Sequence, residues 1–136
     1  MESQSPEQTQ QIAKALAEKA TPGSIYLLEG DLGAGKTAFS QGFGQGLDVS
    51  EPITSPTFAL LNIYETGRLP FYHFDLYRVD EEAVMSLGFE DYFEGNGVCL
   101  IEWASHAIDL IPKPYTKITI EKNLNKGENY RWITIY

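Results

Sequence analysis

Residues 30–37 read Gly-Asp-Leu-Gly-Ala-Gly-Lys-Thr. This is a complete G-x-x-x-x-G-K-[ST] pattern, and its chemistry is the holding of a polyphosphate. Glycines keep side chains out of a tight bend, so backbone N–H groups can converge on an anion. Lys36 then reaches the β- and γ-phosphates, and Thr37 offers a hydroxyl to Mg²⁺. The octet from Gly30 to Thr37 is therefore expected to hold a nucleoside triphosphate. A strand-like apolar run, Ser24 to Glu29, leads in, and a helical pattern with Phe39, Phe43 and Leu47 leads out. Strand, loop and helix follow one another as the motif requires.

Phosphoryl chemistry also needs an acid that holds the metal, directly or through water, and a group that places the attacking water. Such acids end apolar strands beside the loop. Val98-Cys99-Leu100-Ile101 running into Glu102 is the stronger match, and Tyr72-His73-Phe74 running into Asp75 is the second. The plainer alternative for each is a carboxylate that pairs with a base or caps a helix. Thr54-Ser55-Pro56-Thr57 gathers three hydroxyls between the loop helix and the next strand. Switch-type hydrolases carry a γ-phosphate sensor there, although a strand entry can have the same composition. Arg78 either neutralises transition-state charge or braces a carboxylate. His73 and His106 lack partners at metal-ligand spacing and read as structural histidines. Asn125-Lys126-Gly127-Glu128 ends on the wrong residue for a guanine-selecting signature and reads as a turn between strands.

The elements that must position these groups follow from periodicity. Ser5-Pro6-Glu7-Gln8 has the N-cap, the first-turn proline and the returning glutamine of a helix start. Ile12, Ala13, Leu16, Ala17 and Ala20 form its apolar stripe. Thr21-Pro22-Gly23 ends it. Gly42, Gly44 and Gly46 in the second helix each cost about 1 kcal/mol against alanine, and close packing on a sheet accounts for one or two of them. Thr57 to Tyr64 reads as extended, with Phe58, Leu60 and Leu61 as core candidates, and Phe71 to Leu76 completes a hairpin. Asp80 caps a short helix to Gly88. Val98 to Ile101 has the continuous apolarity of a strand covered on both faces. Lys117–Glu121 and Arg131–Tyr136 are closing strands. This mixture predicts a three-layer α/β fold of the P-loop NTPase kind, with a mostly parallel central sheet and antiparallel additions.

The chain of 136 residues suits one domain, 1–136, with one core. Ten basic against nineteen acidic residues give a net charge of −9. That balance disfavours direct grip on a nucleic-acid backbone. No apolar run approaches the roughly 20 residues of a membrane span, and the N-terminal residues lack a secretory pattern. The single cysteine, Cys99, reads as a buried small hydrophobe. A reduced, cytoplasmic setting with no membrane partner is expected.

Taken in order, Gly30 to Thr37, Ser55-Pro56-Thr57-Phe58, His73-Phe74-Asp75-Leu76-Tyr77-Arg78 and Ile101-Glu102-Trp103 resemble the TsaE family. Its members are ATPase subunits of the bacterial machinery that installs threonylcarbamoyladenosine in tRNA. The likeness runs from about Thr9 to Trp103. It implies a Mg²⁺-dependent ATPase with slow intrinsic turnover, working with the two other proteins of the complex and touching tRNA only indirectly. It also implies that Gly33 to Ala38 hold ATP, that Thr37 and Glu102 hold Mg²⁺, and that Lys36, Asp75 and Glu102 act in catalysis. Thr9 matches a threonine that the family uses near the nucleotide. Two departures stand out: Ala104-Ser105 follows Glu102-Trp103 where the family often has Pro-Glu, and Ala38 replaces a frequent hydroxyl residue. A small-molecule kinase, or a module that docks on binding ATP without turnover, are the competing classes.

Overall fold

The computed structural model describes residues 1–31 and 33–136; Leu32, inside the glycine-rich loop, lies outside the described residues. Among the described residues seven strands form one sheet: β1 (Glu2–Ser3), β2 (Ile25–Gly30), β3 (Leu61–Tyr64), β4 (Phe71–Asp75), β5 (Val98–Glu102), β6 (Thr116–Lys122) and β7 (Arg131–Ile135). Their spatial order is β1-β7-β6-β2-β5-β4-β3. The middle four, β6-β2-β5-β4, pair in parallel, and β3, β7 and β1 add antiparallel edges. The α/β sheet with a parallel centre and antiparallel additions is thus as the sequence predicts.

Alternation along the central strands feeds two cores, one on each face. Tyr26, Leu28, Val98, Leu100, Ile118 and Ile120 pack under α1 (Pro6–Glu18) and α2 (Lys36–Gly46). Ile25, Leu27, Cys99 and Ile101 pack under α3 (Glu81–Ser86), α4 (Glu90–Phe93) and a 3₁₀ segment, Ala104–Leu110. A strand buried on both faces is expected to be apolar, and β5 is buried at every residue, apolar from Val98 to Ile101 and ending on the buried Glu102. The three layers follow directly. None of the described helices is long and apolar enough to cross a membrane.

Helix α1 starts as its sequence indicates. Ser5 accepts the Gln8 N–H at 3.2 Å, while Gln8 Oε1 accepts from the Gln4 N–H at 2.7 Å, one residue before the cap. The helix ends on Arg68, whose guanidinium donates to the carbonyls of Ala17 at 2.8 Å and Ala20 at 3.1 Å. A cation on orphan C-terminal carbonyls suits the helix dipole. Asp80 caps α3 by accepting the Ala83 N–H at 2.9 Å.

Two expectations need correction. The α2 glycines are not explained by the sheet: a Cβ on Gly42 would strike the Gln10 backbone, and one on Gly46 would strike Lys14 and Ala17, so these two let α2 press onto α1. Gly44 makes room for Ile53, whose nearest side-chain atom would lie 2.7 Å from its Cβ. Nor is Thr57 to Leu60 a strand. The Leu60 N–H bonds the Pro56 carbonyl at 2.7 Å, closing a turn, and Leu60 adopts φ 69°. The turn throws Phe58 outward to 86% exposure instead of into the core, while Leu60 and Leu61 stay half-buried.

Candidate active site

Parallel strands all deliver their C-terminal ends to one edge, so the ends of β2, β4 and β5 converge there. From β2 the chain turns through Gly33 (φ 77°) and Gly35 (φ 106°), left-handed conformations that favour glycine, and enters α2 at Lys36. The amides of Lys36, Thr37 and Ala38 open the helix and have no intrahelical carbonyl to bond. Together with the helix dipole they form an anion cradle. Ala38 contributes only backbone. Thr37 is exposed and Lys36 is buried.

Asp75 and Glu102 stand opposite one another at the ends of β4 and β5. Both belong to the strand faces that lie under α2, and both are buried. Glu102 Oε1 lies 3.9 Å from Lys36 Nζ, a loose pair. Glu102 Oε2 lies 2.7 Å from His73 Nε2. A carboxylate oxygen only accepts, so the imidazole donates through Nε2. Ser40 Oγ donates to the Lys36 carbonyl at 2.8 Å and turns a lone pair toward the same nitrogen at 3.3 Å. Among the described residues none bonds the buried His73 Nδ1. Because both contacts meet at Nε2, the group is a brace for Glu102 and not a proton relay to Ser40.

Asp75 ties down the loop before β3. Its Oδ2 accepts from Thr57 Oγ1 at 3.3 Å and its Oδ1 from the Tyr77 N–H at 3.0 Å, while Ser55 and Thr57 hydroxyls lie 2.6 Å apart. Trp103 follows Glu102 in the left-handed region (φ 57°, ψ 39°), a costly conformation for a bulky residue. That backbone turn brings its ring to 4.6 Å from Lys36 Nζ. Gly33, Gly35, Lys36, Thr37, Ser55, Thr57, Asp75, Glu102 and Trp103 line one cleft of about 350 Å³. A second cavity of about 590 Å³ adjoins it across Lys36 and Trp103, between the start of the loop and the ends of β6.

Of the sequence-predicted residues, Gly33, Gly35, Lys36, Thr37, Asp75 and Glu102 thus line one cleft, while Ala34 is buried and lines the adjoining cavity and Ala38 lies in the first turn of α2. Thr9 does not join the cleft: it is buried in α1, with its hydroxyl 2.7 Å from that of Ser3. Arg78 reaches neither acid and lies over the Phe58 ring at 5.3 Å. His106 is structural, with Nδ1 2.8 Å from the Leu76 carbonyl. His73 is more than structural packing, since it bonds a site acid. Its position two residues before Asp75, on the same strand face, was the available signal. Ser40, one helical turn after Lys36, carried a comparable one.

The family profile described as "Threonylcarbamoyl adenosine biosynthesis protein TsaE" matches residues 3–131. The chain belongs to the TsaE family. A relative from Bacillus subtilis (strain 168), named tRNA threonylcarbamoyladenosine biosynthesis protein TsaE, is 45% identical over 129 residues, covering 95% of this chain and 79% of its own. A relative of the same name from Nostoc sp. is 48% identical over 118 residues, covering 84% and 71%. The crystal structure of Bacillus subtilis YdiB superposes with a TM-score of 0.82 at 41% identity, over 99% of this chain and 82% of that one. The TsaE fold and its link to threonylcarbamoyladenosine biosynthesis therefore apply here.

Proposed function

We propose that this TsaE-family protein binds ATP with Mg²⁺ in the cleft between α2 and the ends of β4 and β5, and hydrolyses it slowly. Hydrolysis supports threonylcarbamoyladenosine formation on tRNA, within a cytoplasmic complex that includes the two other proteins of that machinery. The observation that carries this reading is convergence: the amide cradle, Lys36, Thr37, Glu102 and Asp75 line a single cleft.

The donor set suits the metal. Mg²⁺ is a hard ion that takes one or two carboxylates, a hydroxyl and phosphate oxygens, and keeps waters for the rest. Thr37 and Glu102 would hold it, and it would supply charge neutralisation across the β- and γ-oxygens. The chain's own groups do the remainder. The loop amides and Lys36 bind and orient the triphosphate. His73 fixes the rotamer of Glu102 through Oε2 and leaves Oε1 directed toward Lys36. Asp75 places the attacking water or links nucleotide state to the 54–57 loop through Thr57. A partner would complete the catalytic charge, so the isolated chain is expected to turn over slowly. The net charge of −9 leaves tRNA contact to the partners.

The test is phosphate release from ATP, measured for the protein alone and with its two partner proteins and tRNA. Turnover should rise on their addition, and Lys36→Ala should abolish nucleotide binding or hydrolysis, and with it phosphate release. Wild-type turnover in Lys36→Ala would overturn the assignment.

A further inference from the structure

We propose that Arg131, at the start of β7, is a positioning residue for the phosphate loop: it clamps the loop's carbonyls so that the opposing amide faces the anion. This rests on the reading of the cleft as a nucleotide site. Arg131 is half-buried, and one edge of its guanidinium grips the loop: Nε donates to the Ala34 carbonyl at 2.7 Å and Nη2 to the Gly33 carbonyl at 3.3 Å. Nη1 is held in its own hairpin by the carbonyls of Glu128 at 2.8 Å and Tyr130 at 2.7 Å. β7 in turn is pinned on both sides, where Arg131 pairs with Ser3 of β1 and Lys122 of β6. The base of the clamp is therefore rigid.

A trans peptide directs its C=O and N–H in opposite directions. With the Ala34 carbonyl on Arg131, the Gly35 N–H of the same peptide points away from the guanidinium, toward the cradle. The preceding peptide is held at both ends, by Nη2 on its oxygen and by the Asp31 carbonyl, 3.0 Å from the Ala34 N–H. Gly35 adopts φ 106°, so this peptide plane is one that the loop needs fixed. Charge acts in the same direction. Among the described residues no carboxylate lies within ion-pair distance of Arg131, and Lys122 Nζ stands 3.1 Å from where a Gly33 Cβ would be. In a chain of net charge −9, Lys36, Lys122 and Arg131 gather round one bend. Lysine cannot replace the fork, because a single ammonium does not span two carbonyls in fixed geometry.

The experiment measures binding of magnesium-free ADP by calorimetry, which isolates the loop from the metal side, and ATP turnover as a function of ATP concentration. Wild type, Arg131→Lys, Arg131→Gln and Ile133→Val are compared at a temperature where circular dichroism shows each folded. Arg131→Lys should weaken ADP about tenfold, the worth of one charge-assisted hydrogen bond, and Arg131→Gln further. Because the loop holds ground and transition states alike, KM should rise with kcat nearly unchanged. Ile133→Val, in the same strand, should lower the melting temperature and leave ADP affinity at the wild-type value. Wild-type affinity in Arg131→Lys and Arg131→Gln would overturn the proposal. Should Arg131→Gln not fold, Arg131→Lys alone decides. Failure of the wild type itself to bind ADP would instead overturn the nucleotide reading, and the clamp with it.

Discussion

Replacing His73 by phenylalanine isolates the bond that holds Glu102. Phenylalanine is somewhat larger than histidine, so no cavity opens and some crowding is added, and it can keep the stacked contact with Phe71 at 5.7 Å between ring centroids. What disappears is the 2.7 Å donation from Nε2 to Oε2 of a side chain only 10% exposed. A hydrogen bond to a charged group contributes about 1.5–3 kcal/mol, and an orphaned buried acceptor adds its desolvation cost. Lys36, at 3.9 Å, compensates only in part. The expected loss is about 2 kcal/mol, or roughly 6–10 °C in melting temperature for a chain of this size. Glu102→Gln should cost under about 1 kcal/mol, since its amide oxygen still accepts from Nε2 without a buried charge. In the double variant the two effects should couple by about 1 kcal/mol. Thermal unfolding of all four proteins, without nucleotide, gives the cycle. Equal stability of His73→Phe and wild type would refute the brace.

Gly42→Ala should destabilise by about 2 kcal/mol in denaturant titration because its methyl would meet the Gln10 backbone. Helix propensity alone predicts the opposite sign, a gain of about 1 kcal/mol. Burial pushes the Cys99 thiol up to about 12. At pH 8 it is therefore protonated as well as buried, and native protein should react with a disulfide reagent only as fast as it unfolds. Thr57→Val removes the hydroxyl bonded to Asp75, and should lower ATP turnover about tenfold with nucleotide affinity retained.

Much of the site was legible because its chemistry is local. The loop octet, the acids at Asp75 and Glu102, and the unbroken apolarity of β5 each lie within one short stretch, and periodicity alone sets the strand faces. Contacts made across the sheet carry no such local signature. Arg131 stands 97 residues from Ala34, and nothing in Tyr130-Arg131-Trp132 distinguishes a loop clamp from a solvated strand residue. Phe58 departs from the apolar pattern because one hydrogen bond, Leu60 N–H to the Pro56 carbonyl, turns the residue outward. Close contacts at the α2 glycines are legible, but that Gly42 and Gly46 meet α1 while Gly44 meets Ile53 is a choice that packing makes and periodicity does not.

Crystals grown with Mg²⁺ and a non-hydrolysable ATP analogue test the central assignment most directly. Density for the β- and γ-phosphates should lie against the amides of residues 33–38, with Lys36 on the phosphates and a cation between Thr37 and the Glu102 carboxylate. A triphosphate bound elsewhere, or a cradle left empty at saturating analogue, would contradict it.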